Sequence, residues 1–120
     1  MKLTFCGGTG AVTGAHYLVE STDGNEKIKI LVDCGLMQGT DDADTFNRKP
    51  FPYNLDEIDY LLVTHAHMDH IGRIPKLVHD GFKGKIISTP PTKDLSELLY
   101  EDALKITESE AKKNWSPAFV

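Results

Sequence analysis

The chain has 120 residues, with 13 Lys and Arg against 18 Asp and Glu for a formal charge of −5, and 40% of it is hydrophobic. That composition excludes intrinsic disorder, and no apolar run approaches the roughly 18 residues that a membrane span needs. Residues 1–8 lack the apolar stretch of a secretory signal, so the sequence reads as cytoplasmic, with no membrane partner and with Cys6 and Cys34 as buried free thiols.

Residues 2–6 form a short apolar run stopped by Gly7 and Gly8, which predicts a strand. Residues 15–21, with Tyr17, Leu18 and Val19, predict a second, and Asp23-Gly24 marks a turn. Ile28, Ile30 and Val32 alternate with Lys27, Lys29 and Leu31, so a third strand closes a hairpin around that turn. Residues 35–55 are polar and irregular, and predict a long loop with at most one helical turn. Residues 58–64 are almost continuously apolar, the pattern of a strand buried on both faces. Ile71, Ile74, Leu77 and Val78 recur at helical spacing, with Gly81 as the residue past the helix end and Pro75 limiting how early regular turns begin. Residues 85–89 predict another strand, ended by Pro90-Pro91. Leu95, Leu98, Leu99, Ala103 and Ile106 stripe a longer helix reaching about Lys112, with Thr92 as its N-cap. Its acidic side, with Glu97, Glu101, Asp102, Glu108 and Glu110, reads as a solvated face, and residues 115–120 carry no assignable pattern.

Three strands followed by strand, helix, strand and helix predict a mixed α/β fold in which helices cover a sheet. No repeat, linker or composition shift marks a boundary, so the chain reads as one segment of one domain. Its core is thin: a layered α/β domain covers both sheet faces, and nothing after Ile106 supplies a second layer. The open face would then expose Ile28, Ile30, Leu61 and Val63 and favour homo-oligomers.

The most informative feature is His65-Ala66-His67-Met68-Asp69-His70, where four of six side chains are possible metal ligands. The cluster follows a strand directly, at the C-terminal end where α/β sheets open a crevice for ligands. In an extended chain residues two apart point the same way, so His65 and His67 can reach one metal together. Asp69 and His70 follow the bend and aim elsewhere, which predicts two adjacent metals. Imidazole and carboxylate donors suit zinc, and also manganese or iron.

These six residues followed by Gly72 resemble the HxHxDHxG signature of the metallo-β-lactamase superfamily. The likeness extends to Gly7-Gly8, residues 11–15, 31–39, 47–52 and 71–75, and Thr92-Lys93-Asp94-Leu95, which together are similar to the β-CASP branch of RNA-processing nucleases. That resemblance implies a partial αβ/βα sandwich spanning residues 1–120 and a zinc-dependent hydrolase acting on RNA. It implies that His65 and His67 hold a first zinc and that Asp69 and His70 hold a second, with Asp69 also orienting the attacking water. Asp33 would lie behind the cluster and order it, a role that supporting carboxylates commonly play in metal sites.

The resemblance also implies what these residues lack. A further histidine and a bridging aspartate are expected downstream, but the only later histidine is His79, better read as a helix-terminal residue. The chain thus reads as the N-terminal part of such an enzyme, with the rest of the domain and the β-CASP insertion absent. His16 and Lys49 read as ordinary solvated residues. The acidic balance argues against this surface, taken alone, being a nucleic-acid footprint, and leaves room for a local phosphate-holding cleft. Three alternatives stand beside the ribonuclease. One is a small-molecule hydrolase of thioesters or lactams, and another is a non-catalytic interaction segment. The third is a dinucleotide-binding fold suggested by the glycines from Gly8 to Gly14, although Asp23-Gly24 leaves too few residues for its crossover helix.

Overall fold

The computed structural model describes residues 1–111, and side chains for residues 1–106. The proposed solvated positions of Glu108 and Glu110, the helix end near Lys112, and residues 115–120 lie outside the described part.

Five strands form one mixed sheet in the order β1-β2-β3-β4-β5: β1 (Lys2–Gly7), β2 (His16–Asp23), β3 (Glu26–Val32), β4 (Tyr60–Leu62) and β5 (Lys85–Ile87). The first three are antiparallel and the last three run parallel. Asp23 pairs with Glu26 around a two-residue turn, as the Asp-Gly signal predicts. Residues 8–14 turn β1 straight into antiparallel β2 with no helix between them, which excludes the dinucleotide-binding reading.

The parallel strands need crossovers, and helices supply them. The segment from β3 to β4 holds α1 (Ala43–Arg48) and a 3₁₀ turn at Leu55–Glu57, more order than one helical turn. Asn47 makes the difference: its side chain accepts from Met37 N at 2.8 Å and donates to Met37 O at 3.0 Å, pinning α1 to the strand end. Between β4 and β5 lie α2 (Met68–Ile71) and α3 (Ile74–His79). The helix therefore begins three residues earlier than its apolar spacing suggests and breaks at Gly72-Arg73, ahead of Pro75 in the first turn of α3. Helix α3 ends as predicted, with Phe82 N donating to Leu77 O, Gly81 N to Val78 O, and Gly81 at φ 115°.

Helix α4 runs Pro90–Ala111. Thr92 is inside it, not its cap. The hydroxyl of Thr89 accepts from Thr92 N at 3.4 Å, and the two prolines occupy the first turn, where a missing N–H costs nothing. Tyr100 then ties α4 to α2 by donating to Ile71 O at 2.8 Å.

The core lies on one face of the sheet, where Leu18, Leu31 and Leu61 pack with Cys34, Ile58, Ile71, Ile74, Leu77 and Phe82. Leu18, Leu31 and Leu61 are cross-strand neighbours, so the register delivers them to the same side. Leu61 is thus fully buried, contrary to its expected place on the open face. Val63, expected beside it, likewise packs against the core, while the open face carries Leu3, Phe5, Ile28, Leu62 and Ile87, all exposed, and a half-buried Ile30. Strand β4 is accordingly buried on one face, because no described element covers the other. Cys6 and Cys34 are free thiols, but only Cys34 is buried as expected while Cys6 is half-buried, and burial pushes the Cys34 thiol up to about 12.

Candidate active site

The predicted site residues meet at the C-terminal ends of β3 and β4. Asp33 directly follows β3 at φ 59°, a left-handed conformation that Asp tolerates better than most residues, and it is buried. Its carboxylate Oδ1 accepts from Thr64 N at 2.8 Å, while Oδ2 accepts from the Thr64 hydroxyl at 2.7 Å and lies 2.7 Å from His70 Nδ1. A carboxylate only accepts, so His70 carries a proton on Nδ1, which leaves Nε2 as the ring nitrogen that could take a metal. That Nε2 lies 3.5 Å from Asp69 Oδ2.

The three imidazoles crowd together. The His65 and His67 ring centres are 4.7 Å apart, and those of His65 and His70 only 3.9 Å. The bend does not aim His70 away from His65, because α2 starts at once, with His70 N donating to His67 O at 2.8 Å, and its first turn folds His70 back. Among the described residues, no three His, Cys, Asp or Glu side chains are grouped as one metal site. The donor chemistry nevertheless fits metal ions. Three imidazoles and a carboxylate are adjacent, and the Nδ1 of His70 is already occupied by a supporting carboxylate, the arrangement that orients histidine ligands.

Backbone interlocking fixes this geometry. Cys34 N donates to His70 O, Leu36 N to Met68 O, Arg73 N to Cys34 O and Ala15 N to Asp69 O, at 2.8 to 3.0 Å. Gly35 lies so close to the helix that a Cβ there would sit 1.7 Å from Asp69 O. The Asp-Cys-Gly-Leu run is therefore a strand end shaped to receive the start of α2.

Three residues behind the site were missed or misread in sequence. His16 is fully buried, not solvated. Its Nδ1 donates to Asp33 O at 2.6 Å, so its Nε2 accepts from the Tyr53 hydroxyl at 2.7 Å. Burial lowers its pKa to about 4, against the opposing pull of the Asp33 carbonyl. The signal was there: His16 alternates with Leu18 on the inward face of β2. Arg73 is buried and forms no salt bridge with a carboxylate among the described residues. Its guanidinium lies 4.5 Å from the Phe51 ring centre and 5.1 Å from that of Phe46, and it donates to Asn47 O and Lys49 O. Thr64 links Asp33 to His65, whose Nδ1 is 3.0 Å from the Thr64 hydroxyl. Lys49 is exposed and His79 is the exposed last residue of α3, both as expected.

The metallo-beta-lactamase superfamily profile matches residues 10–111. The chain belongs to the metallo-β-lactamase superfamily. Over 106 residues it is 40% identical to a protein of Thermus thermophilus named ribonuclease TTHA0252, covering 88% of this chain and 23% of that one. Over 113 residues it is 40% identical to the transcription termination factor FttA of Methanococcus maripaludis, covering 93% of this chain and 17% of the relative. It is also 34% identical over 88 residues to a probable RNase MJ4 of Methanocaldococcus jannaschii, covering 73% and 20%. The chain thus spans about a fifth of the length of these relatives. Its mixed sheet with helices on one face is a partial metallo-β-lactamase fold. No helix among the described residues is long and apolar enough to cross a membrane.

Proposed function

We propose that these residues carry the first part of the metal centre of a zinc-dependent, β-CASP-type ribonuclease that cleaves RNA phosphodiester bonds in the cytoplasm. The observation that supports this most is the 2.7 Å contact between His70 Nδ1 and Asp33, inside a cluster of three imidazoles and a carboxylate. Relatives named ribonuclease and transcription termination factor support RNA as the substrate class.

His65 and His67 would hold one metal ion, and Asp69 and His70 a second, with zinc, manganese or iron suited to these donors. Bound metal supplies Lewis acidity to the phosphodiester and makes water more acidic. Asp33 keeps His70 in one tautomer and one orientation. Asp69, half-buried beside His70, would accept a hydrogen bond from an attacking water. The Gly35 contact with α2 fixes the spacing between Asp33 and these groups. With a charge of −5 the 120 residues repel a phosphate backbone at low salt, so in a protein as long as its relatives the remaining sequence supplies the basic groove.

The test is cleavage of a labelled RNA by the full-length protein after loading with zinc, manganese or iron, with His67→Ala as control. Metal-dependent cleavage lost in the control is expected. Turnover of a thioester or lactam without RNA cleavage would overturn the reading in favour of a small-molecule hydrolase.

A further inference from the structure

The hydroxyl of Thr64 stands between two groups that both need its single proton or its lone pairs. It lies 2.7 Å from Asp33 Oδ2 and 3.0 Å from His65 Nδ1. A hydroxyl and a carboxylate oxygen at 2.7 Å need a hydrogen between them, and the carboxylate has none to give. The Thr64 proton is therefore committed to Asp33. His65 must then bring the proton on its own Nδ1, and the hydroxyl accepts it. A second constraint acts on the same side chain: Thr64 N donates to Asp33 Oδ1 at 2.8 Å, so Thr64 is clamped to Asp33 at backbone and hydroxyl alike.

We infer that Thr64 is a positioning residue that transmits the Asp33 carboxylate to His65, fixing His65 in the Nδ1–H tautomer with the lone pair of Nε2 turned toward the cluster. One carboxylate then sets two imidazoles, His70 directly and His65 through one hydroxyl. Both present Nε2 as an electron-pair donor, the form that a metal requires. The significance for metal binding rests on the metal-centre reading above; the tautomer assignment itself does not.

The experiment is long-range proton–nitrogen correlation NMR on the metal-free 120-residue chain, at about pH 8, above the ordinary imidazole range. Wild type, Thr64→Ser and Thr64→Val are compared. The expected result is Nδ1 protonated on His65 and His70 in wild type and in Thr64→Ser. In Thr64→Val, His65 loses that tautomer while His70, held directly by Asp33, keeps it. A wild-type His65 protonated on Nε2, or an Nδ1–H His65 that survives in Thr64→Val, overturns the inference. If Thr64→Val does not fold, the wild-type and Thr64→Ser spectra still decide it, since an Nε2–H His65 in either overturns it. Metal loading of the full-length protein reports separately on the metal reading: a protein that takes up no zinc, manganese or iron would overturn that reading and leave the tautomer result standing. Where zinc binds, Thr64→Val is expected to weaken it by about 10- to 100-fold, the effect typical of losing a group behind a ligand.

Discussion

His16 Nδ1 lies 2.6 Å from the carbonyl oxygen of Asp33, so the residue whose carboxylate holds Thr64 and His70 is itself held from behind by a buried imidazole. Because Nδ1 donates to that carbonyl and Nε2 accepts from Tyr53, the ring is built to be neutral. A proton on Nε2 would reverse that bond, with the Tyr53 hydroxyl accepting, but would place a charge where burial disfavours it.

That neutrality sets a pH dependence. The His16 pKa is about 4 in the fold against about 6.5 when unfolded, so between those values the unfolded chain binds a proton that the folded chain refuses. Stability from this group is full above pH 6.5, falls as the pH drops, and is lost by about pH 4. The bound on the loss is about 3 kcal/mol at roughly 1.4 kcal/mol per pH unit. Urea unfolding of wild type and His16→Phe at pH 7 and pH 4.5 measures it. The gap in midpoint between the two proteins should narrow at the lower pH, and a gap that stays constant would remove His16 as the cause.

Asp33→Asn should separate folding from metal binding. Asn also tolerates the left-handed backbone at this position, φ 59°, so the chain should fold with a loss of about 1–2 kcal/mol. The amide replaces a charge that serves Thr64 and His70, and metal affinity should fall by about 10- to 100-fold. Competition with a chelator gives the affinity, and thermal unfolding gives the stability. Equal metal affinity in the variant would take Asp33 out of the site.

Much of the fold was legible because the strands and helices obey their periods. The hairpin, the two strands after it, the Gly81 helix end and the position of the histidine cluster all follow from local pattern. What was not legible depends on partners distant in sequence. The alternation of His16 with Leu18 marks its face of β2 but not what covers it, since its partners Tyr53 and Phe51 lie 37 and 35 residues on. The length of α1 depends on Asn47 reaching Met37, and the site's compactness on α2 starting at Met68 with no apolar stripe to announce it. Leu61 was misplaced because a run apolar on both faces does not say which face a helix covers.

Gly35→Ala should be among the most damaging small substitutions in the chain. The added methyl would sit 1.7 Å from Asp69 O and 2.9 Å from His70 N, both backbone atoms that cannot swing aside. Relief requires α2 to move off the strand end, which breaks the bonds from Cys34 N to His70 O and from Leu36 N to Met68 O. The expected cost is about 3 kcal/mol or more. Urea denaturation reads it, and a loss below about 1 kcal/mol would show that the strand and helix are not locked as described.

The 120 residues by themselves should bind zinc weakly and cleave no RNA. The cluster offers His65 and His67 to one ion and Asp69 and His70 to the other, whereas a catalytic zinc normally has three protein ligands and a water. No three such side chains are grouped as a site among the described residues, and the relatives run four to six times longer than the matched stretch, at 23% and 17% coverage. A two-ligand zinc is filled out by solvent and held loosely, so the water it carries is not fixed for in-line attack. The exposed sheet face of Leu3, Phe5, Ile28, Leu62 and Ile87 adds a complication, because two copies joined there would bury apolar surface and gain stability. Sedimentation therefore accompanies the assay, so that activity can be assigned to monomer or assembly. Zinc titration by calorimetry and metal-dependent cleavage of a labelled RNA, with His67→Ala as control, are the measurements. Robust turnover by the monomer that disappears in the control would show that four ligands in this arrangement suffice, and the incomplete-site argument would fail.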